Sequence, residues 1–172
     1  MAEFNQCAGL MQNLPEATNA LSNVIANGKS PLNEMLKMQN QLQVNLKEKL
    51  GRTIPPGELK TKGELVNFLW DQKHAFDDEF MELINSIAGS NKPEKEQSAV
   101  WKKWKSNYDS LSSELVNKGL TETEIHERNF ECIDMLHFVF NMVLSLGLSE
   151  KEIFEYYYLK NKENFNRYQN GY

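Results

Sequence analysis

The feature that most constrains the fold of this chain is a series of helix-start signals, each followed by apolar residues at helical spacing. Ser30 precedes a proline at a first helical position, and three capping boxes place a serine or threonine three residues before a glutamate. Such side chains hydrogen-bond the free N–H groups of a helix's first turn. The boxes are Thr61–Glu64, Thr121–Glu124 and Ser149–Glu152.

No segment shows the sustained alternation of a half-buried strand, whereas apolar residues recur at helical spacing through most of the chain. The sequence therefore predicts an all-α protein, a bundle of about five to seven helices with short connections. With 172 residues, 40% of them hydrophobic, it is expected to form one domain over residues 1–172.

Glycines and prolines predict where the helices end. Residues 31–50 predict a helix that stops at Gly51, and the proline-rich stretch 52–60 predicts a loop. Further helices are expected over residues 61–88, 98–118, 121–146 and 149–172, with one or two short helices in residues 1–28. Residues 90–97 predict a solvated connector.

Charge and cysteine content exclude several classes of function. The net charge is −5 with no basic block, so direct binding of a nucleic-acid backbone is not expected, and any nucleic-acid component bound should be small. Cys7 and Cys132 lack metal-ligand spacing and predict free thiols in a reducing cytoplasm. The N-terminus lacks a secretory signal, and the apolar run Met135–Leu148 is too short to span a membrane, so it predicts a core helix.

Two pairs of acidic residues lie in otherwise apolar helical stretches: Glu79 with Glu82, and Glu131 with Asp134. Residues three apart share a helical face, so each pair can approach one point. If the two helices pack together, four carboxylates converge in the interior, which is stable only with cations. Oxygen ligands suit Mg²⁺, which brings phosphates with it. The alternative is two solvated acidic faces.

Basic residues offer a complement to this acidic set. Lys160, Asn164 and Arg167 share one face of the last helix and fit a phosphate chain, although cations are also common near helix C-termini. In "VWKKWKS", Lys102 and Lys105 are candidate phosphate contacts beside two tryptophans on one helical face. The alternative there is a Trp-anchored core helix with a solvated basic flank.

Other chemistries are less well supported. His74 and His137 follow aspartates by three residues, similar to the acid-x-x-His pattern of di-iron bundles, but that pattern normally uses glutamate. His137 is better explained as a core histidine or as one that supports a ligand. No Ser-His-Asp order, P-loop or dinucleotide glycine motif is present.

With these motifs in place, the chain resembles the all-α nucleoside triphosphate pyrophosphatases, which share Glu-x-x-Glu on one helix and Glu-x-x-Asp on a later one. Within that superfamily it resembles the dimeric dUTPase group and, more specifically, the family of dCTP pyrophosphatases (dCTPase-dUTPases) of T-even-type bacteriophages. The segments that carry the likeness are "FNQCAGL", "PLNEMLKMQNQLQ", "SAVWKKWK", "FECIDMLHF" and "EIFEYYYLKNKENFNRYQNGY".

The resemblance implies a role for each candidate residue. Glu79, Glu82, Glu131 and Asp134 would ligate two or more Mg²⁺ ions, and Glu79 would orient or deprotonate the attacking water. Phosphates would be bound by Lys160, Asn161, Asn164 and Arg167. The base or sugar would contact Gln39, Trp70 and Asn141. The family usually has Arg-Gln where this chain has Arg167-Tyr168, which leaves a contact from that amide open.

The activity implied is Mg²⁺-dependent hydrolysis of dCTP, and of dUTP, dCDP and dUDP, to the monophosphate, which would keep unmodified cytosine and uracil out of phage DNA. A cytoplasmic homodimer, possible association with other phage nucleotide-synthesis enzymes and no membrane contact are expected. Two alternatives stay open: a dUTPase with little dCTP activity, and a non-catalytic helical interaction or regulatory protein.

Overall fold

The computed structural model describes residues 7–51, 54–89 and 100–170. Within these ranges there is no strand, so the all-α prediction is confirmed. Two short 3₁₀ helices occupy Ala8–Asn13 and Pro56–Glu58. The α-helices are α1 (Leu14–Ala26), α2 (Pro31–Leu50), α3 (Lys62–Ser86), α4 (Ser106–Leu111), α5 (Glu122–Ser145) and α6 (Glu150–Asn170).

The capping residues act as the sequence predicts. At the start of α3, the Glu64 N–H donates to Thr61 Oγ1 at 3.1 Å and the Thr61 N–H donates to the Glu64 carboxylate at 2.9 Å. The same reciprocal pair opens α5 and α6. Ser30 accepts from the Asn33 N–H at 3.4 Å in front of α2. Local sequence therefore sets where these helices begin.

Left-handed glycines end α2 and separate α5 from α6. Gly51 has φ 63° and donates its N–H to Lys47 O at 2.8 Å, and Gly147 has φ 72°. Residues with a Cβ rarely adopt this conformation, which explains a glycine at both points. The prediction that helices stop here is confirmed.

The long helix predicted over residues 98–118 is wrong for the part that the structure describes. Only α4 is α-helical there, and turns occupy residues 100–105 and 112–119. The Ser112 hydroxyl donates to Asp109 O at 2.8 Å. The Glu114 N–H donates to Leu111 O, three residues earlier, instead of to the fourth residue back as in an α-helix. Serine side chains that bond the nearby backbone compete with helix propagation. The connector at residues 90–97 lies outside the described residues.

The chain divides into two compact units. Within the described residues, the first unit contains those before Leu21 together with Asn67–Val139, and the second contains Leu21–Val66 and those from Phe140 onward. Leu36, Pro55 and Pro56 in the second unit, and Phe68, Ala88 and Val100 in the first, are buried. The prediction of one domain over residues 1–172 stays a prediction.

Several apolar side chains of the helices are less buried than the sequence suggests. Val139, within the run that predicts a core helix, is exposed, and so are Phe80 on α3 and Ile87 directly after it. No single described helix is long and apolar enough to cross a membrane, while α5 and α6 taken together meet that length and composition but bend by 104° at their junction.

Candidate functional site

Three carboxylates meet in the first unit. Glu79 from α3, and Glu131 and Asp134 from α5, each place one carboxylate oxygen within 4.8 Å of the others. Glu131 is buried and the other two are half-buried. The three-residue spacing of Glu131 and Asp134 puts both on one helical face, as the sequence predicts. The packing of α3 against that face adds Glu79 from a distant part of the chain.

Burial and the repulsion between its carboxylates make this cluster favour the binding of a proton or a metal cation. Burial, followed by the charges of Glu82 and Glu79, raises the pKa of Glu131 to about 7. Burial also raises the pKa of Glu79 and of Asp134, the latter moderated by His137. With a pKa near 7, Glu131 is partly protonated at neutral pH, and a metal cation can take the place of its proton.

The donor set fits a hard divalent cation. All the ligating atoms that the three residues offer are carboxylate oxygens, which suit Mg²⁺, Ca²⁺ or Mn²⁺ rather than metals that prefer nitrogen or sulfur. A divalent ion would relieve the like-charge repulsion that now raises the pKa values. This cluster can hold a metal.

Glu82, the fourth predicted ligand, lies at the edge of the cluster. Its side chain is exposed, and it is not one of the three residues whose oxygens share the 4.8 Å limit. Its charge nevertheless raises the pKa of both Glu79 and Glu131, so it is close enough to act electrostatically. Its role as a ligand stays a prediction.

Glu127 is a carboxylate that the sequence analysis missed. It lies one helical turn before Glu131 on α5, is only 4% exposed, and contributes to the raised pKa of Glu131. Its Oε1 accepts a hydrogen bond from the Ala8 N–H at 2.6 Å. The sequence signal for it is the spacing of residues 127, 131 and 134, which repeats one helical face.

The predicted phosphate-binding residues of the last helix are on α6, in the second unit, and all are exposed: Lys160, Asn161, Asn164 and Arg167. Arg167 Nε donates to Glu163 Oε1 at 2.8 Å, four residues earlier on the same helix. An exposed pair of this kind contributes little to stability. The structure therefore leaves these side chains at the helix surface, and their role in binding phosphates stays a prediction.

Two predicted base- or sugar-binding residues contact each other in the second unit. Gln39 on α2 is 3% exposed and Asn141 on α5 is 2% exposed. Gln39 Nε2 donates to Asn141 Oδ1 at 2.8 Å. Buried amides are costly without such partners, so this bond fixes the two helices against each other at that point. Whether either amide contacts a base stays a prediction.

The remaining candidates are in the first unit. Trp70 is 55% exposed, with its ring centroid 5.6 Å from that of His74. Lys102 Nζ lies 5.0 Å from the centroid of the Trp101 ring. The Trp101 and Trp104 rings contact each other edge to face. Lys105 is exposed. The prediction that both tryptophans share a helical face is wrong, because residues 100–105 form turns.

The all-α fold and the acidic cluster are consistent with the nucleoside triphosphate pyrophosphatases, and comparison with known proteins defines the relationship. The chain is 42% identical over its full 172 residues to the whole of a dCTP pyrophosphatase from Enterobacteria phage T4. It is 41% identical over 173 aligned positions, covering all of both chains, to a dCTP pyrophosphatase from Enterobacteria phage LZ5.

A third relative, named DNA replication protein, is also from phage T4. It is 40% identical over 166 residues, which make up 96% of this chain but 42% of that protein. No family model matches the chain, and no solved structure matches it. Because the likeness to the two pyrophosphatases is strong and covers both chains completely, the chain belongs to the family of phage dCTP pyrophosphatases, which are hydrolases.

Proposed function

We propose that this protein hydrolyses dCTP to dCMP and pyrophosphate in a reaction that depends on Mg²⁺. The observation that carries the proposal is the cluster of Glu79, Glu131 and Asp134, with oxygens within 4.8 Å of one another, in a chain that matches dCTP pyrophosphatases from end to end. Clustered carboxylates supply the ligands that a magnesium-bound triphosphate needs.

Each residue of the cluster has a task in the reaction. Bound divalent ions neutralise charge on the triphosphate and polarise its phosphoryl oxygens. Glu131 and Asp134 would hold the ions, with Glu82 completing the set from the exposed edge. Glu79 is the proposed base, and its raised pKa makes it a better proton acceptor than an ordinary carboxylate. Water forms a bond to phosphorus, its proton passes to Glu79, and the α–β anhydride bond breaks to release pyrophosphate.

Substrate recognition is assigned to groups outside the cluster. Lys160, Asn161, Asn164 and Arg167, with Lys102 and Lys105, would bind the phosphates. Gln39, Trp70 and Asn141 would contact the base or sugar. Because amides can pair with either the amino edge of cytosine or the carbonyl edge of uracil, dUTP is a proposed second substrate, together with dCDP and dUDP. Removing these nucleotides would keep unmodified cytosine and uracil out of phage DNA.

The proposed assembly is a cytoplasmic homodimer. Many large apolar side chains are exposed in the described chain, including Leu21 and Ile25 on α1, Met38 on α2, and Phe154 and Tyr157 on α6. Exposed apolar side chains at helical spacing, such as Leu21 and Ile25, can be covered by a second copy of the chain. Light scattering during size-exclusion chromatography should give twice the chain mass of 19.9 kDa. A species of single-chain mass at micromolar concentration would contradict the dimer.

Pyrophosphate release from eight ribo- and deoxyribonucleoside triphosphates, with Mg²⁺ and then with excess EDTA, tests the activity. We expect dCTP to be hydrolysed fastest, dUTP next, and all activity to disappear with EDTA. Hydrolysis of dUTP alone would identify a dUTPase instead. If no nucleotide is hydrolysed and Mg²⁺ with a non-hydrolysable dCTP analogue produces no binding heat, the protein is a non-catalytic helical module and the proposal is wrong.

A further inference from the structure

The buried carboxylate of Glu127 lies beside the cluster but is not one of the three residues whose oxygens meet. One face of α5 carries Glu127, Glu131 and Asp134, and Glu127 is the one nearest the start of the helix. A carboxylate that is 4% exposed needs a donor in place of water. The nature of that donor indicates what the residue does.

The donor is the backbone N–H of Ala8, 119 residues away in sequence, at 2.6 Å from Glu127 Oε1. Ala8 is the first residue of the 3₁₀ helix Ala8–Asn13, and the preceding Cys7 makes no side-chain capping bond. The first N–H groups of a helix have no partner within it, and negative charge is favourable there. Glu127 therefore caps this short helix from another part of the fold.

The capped segment lies in the field of the cluster. Burial, and then the charges of Glu127, Asp134, Glu131 and Glu79 in that order, raise the pKa of the Cys7 thiol. That thiol is half-buried, whereas the other cysteine, Cys132, is exposed. The hydrogen bond at Ala8 thus places the N-terminal segment next to the carboxylates that are proposed to hold metal.

We propose that Glu127 is a positioning residue that fastens the segment Cys7–Asn13 against the metal-binding carboxylates. The fastened segment excludes water from one side of the cluster and keeps Glu131 in its buried position. This gives the N-terminal residues a function in the site. The fastening stands on the contacts described here, and only its effect on metal binding rests on the proposed function.

Thiol labelling measures the fastening without any need for activity. In a Cys132→Ser background, only Cys7 reacts with a chromogenic disulfide reagent. Glu127→Ala removes the acceptor and should speed labelling of Cys7 by about tenfold or more, because a charged hydrogen bond is lost. Glu127→Gln removes the same charge but keeps an oxygen acceptor, and should stay within about threefold of the parent. Circular dichroism checks that each variant is folded.

The difference between the alanine and glutamine variants isolates the hydrogen bond from the change in charge beside the thiol. Glu122→Ala, at an exposed position on α5, should leave labelling unchanged. Equal labelling rates in folded Glu127→Ala and its parent would overturn the proposal. So would a glutamine variant as fast as the alanine variant.

Calorimetry with Mg²⁺ alone gives the second measurement. If the segment supports the cluster, Glu127→Ala should weaken Mg²⁺ binding by about tenfold, as the loss of groups that orient metal ligands does, and Glu127→Gln should recover most of it. Faster labelling with unchanged Mg²⁺ affinity would refute the supporting role. A parent protein that binds no Mg²⁺ would refute the proposed function, and labelling would still decide whether Glu127 fastens the segment.

Discussion

Two regions of the molecule carry charged residues that are proposed to bind the same substrate, and their environments differ. In the first unit, Glu79, Glu131 and Asp134 are half-buried or buried and their oxygens meet. In the second unit, Lys160 and Arg167 are exposed on α6, and Arg167 pairs with Glu163 on the same helix. The acidic region is therefore arranged before any ligand binds, whereas the basic face is a row of solvated side chains.

This difference separates two ways of making a charged site. The cluster holds like charges close together, and their repulsion destabilises the fold unless a cation is bound. The basic side chains keep their hydration and have little to gain or lose before a phosphate binds. Changes in the cluster should accordingly alter catalysis and stability together, and changes on α6 should alter only substrate affinity.

The largest expected effect comes from removing a charge from the cluster. Glu79→Gln, Glu131→Gln and Asp134→Asn should each lower kcat by about 10³-fold, because each removes a proposed base or metal ligand. The measurement is pyrophosphate release from dCTP, with circular dichroism to confirm the fold. Glu122→Gln on α5, whose side chain is 91% exposed, is the matched control and should keep full activity. Parental turnover in all three variants would remove the basis for the cluster's role.

The stability of the metal-free protein should fall as pH rises. The folded protein raises the pKa of Glu131 from 4.5 to about 7, so it binds more protons than the unfolded chain between those values. The free energy of unfolding therefore decreases across that interval, by up to about 3 kcal/mol, and is lowest above pH 7. Thermal melts in EDTA from pH 4.5 to 8 measure this.

Two controls sharpen the pH experiment. Glu131→Gln cannot titrate at this position, so its melting temperature should change less with pH, and saturating Mg²⁺ should flatten the dependence in the parent. Lys160→Ala should leave the parental dependence intact, since that residue lies on the exposed face of α6. A metal-free melting temperature that rises between pH 5 and 8 would contradict the burial of the cluster.

A smaller effect is expected on the basic face. Lys160→Ala and Arg167→Ala should each raise the KM for dCTP by about tenfold while kcat stays within about threefold, since one charged phosphate contact is lost. Lys151→Ala on the same helix is the control and should change neither constant. If kcat fell by as much as in the cluster variants, the basic face would belong to the catalytic constellation and the contrast between the two regions would fail.

The smallest effect is expected at Glu82. Because this carboxylate is exposed and influences the cluster through its charge, Glu82→Gln should lower kcat by about threefold to tenfold. The rate should be compared with that of Glu79→Gln under saturating Mg²⁺. A loss as large as that of Glu79→Gln would show that Glu82 contributes as much to metal binding as the three carboxylates whose oxygens meet.

Local patterns in the sequence predicted much of this fold. A capping box depends on two residues three positions apart, and a left-handed helix end depends on a single glycine. Both can therefore be identified without knowing which residues pack nearby. The acidic pairs were found for the same reason, since three-residue spacing fixes a common helical face. The helix predicted around α4 failed because hydrogen bonds of serine side chains competed with the helical pattern.

Contacts between segments that are distant in the chain could not be predicted from the sequence. Glu127 looked like any solvated glutamate because its partner is a backbone N–H, which every residue except proline carries. The pairing of Gln39 with Asn141 depends on how α2 and α5 pack, and the exposed position of Glu82 depends on how α3 is rotated. Spacing fixes which residues share a face but not how far that face is buried.

The raised pKa of Glu131 has a consequence for calorimetry. A metal that displaces the Glu131 proton must release it to the buffer, so the apparent enthalpy of Mg²⁺ binding includes the buffer's own heat of ionisation. Titrations at pH 7 in two buffers with different heats of ionisation should differ in enthalpy by an amount that counts the released protons. The difference should shrink above pH 8, where Glu131 has mostly lost its proton.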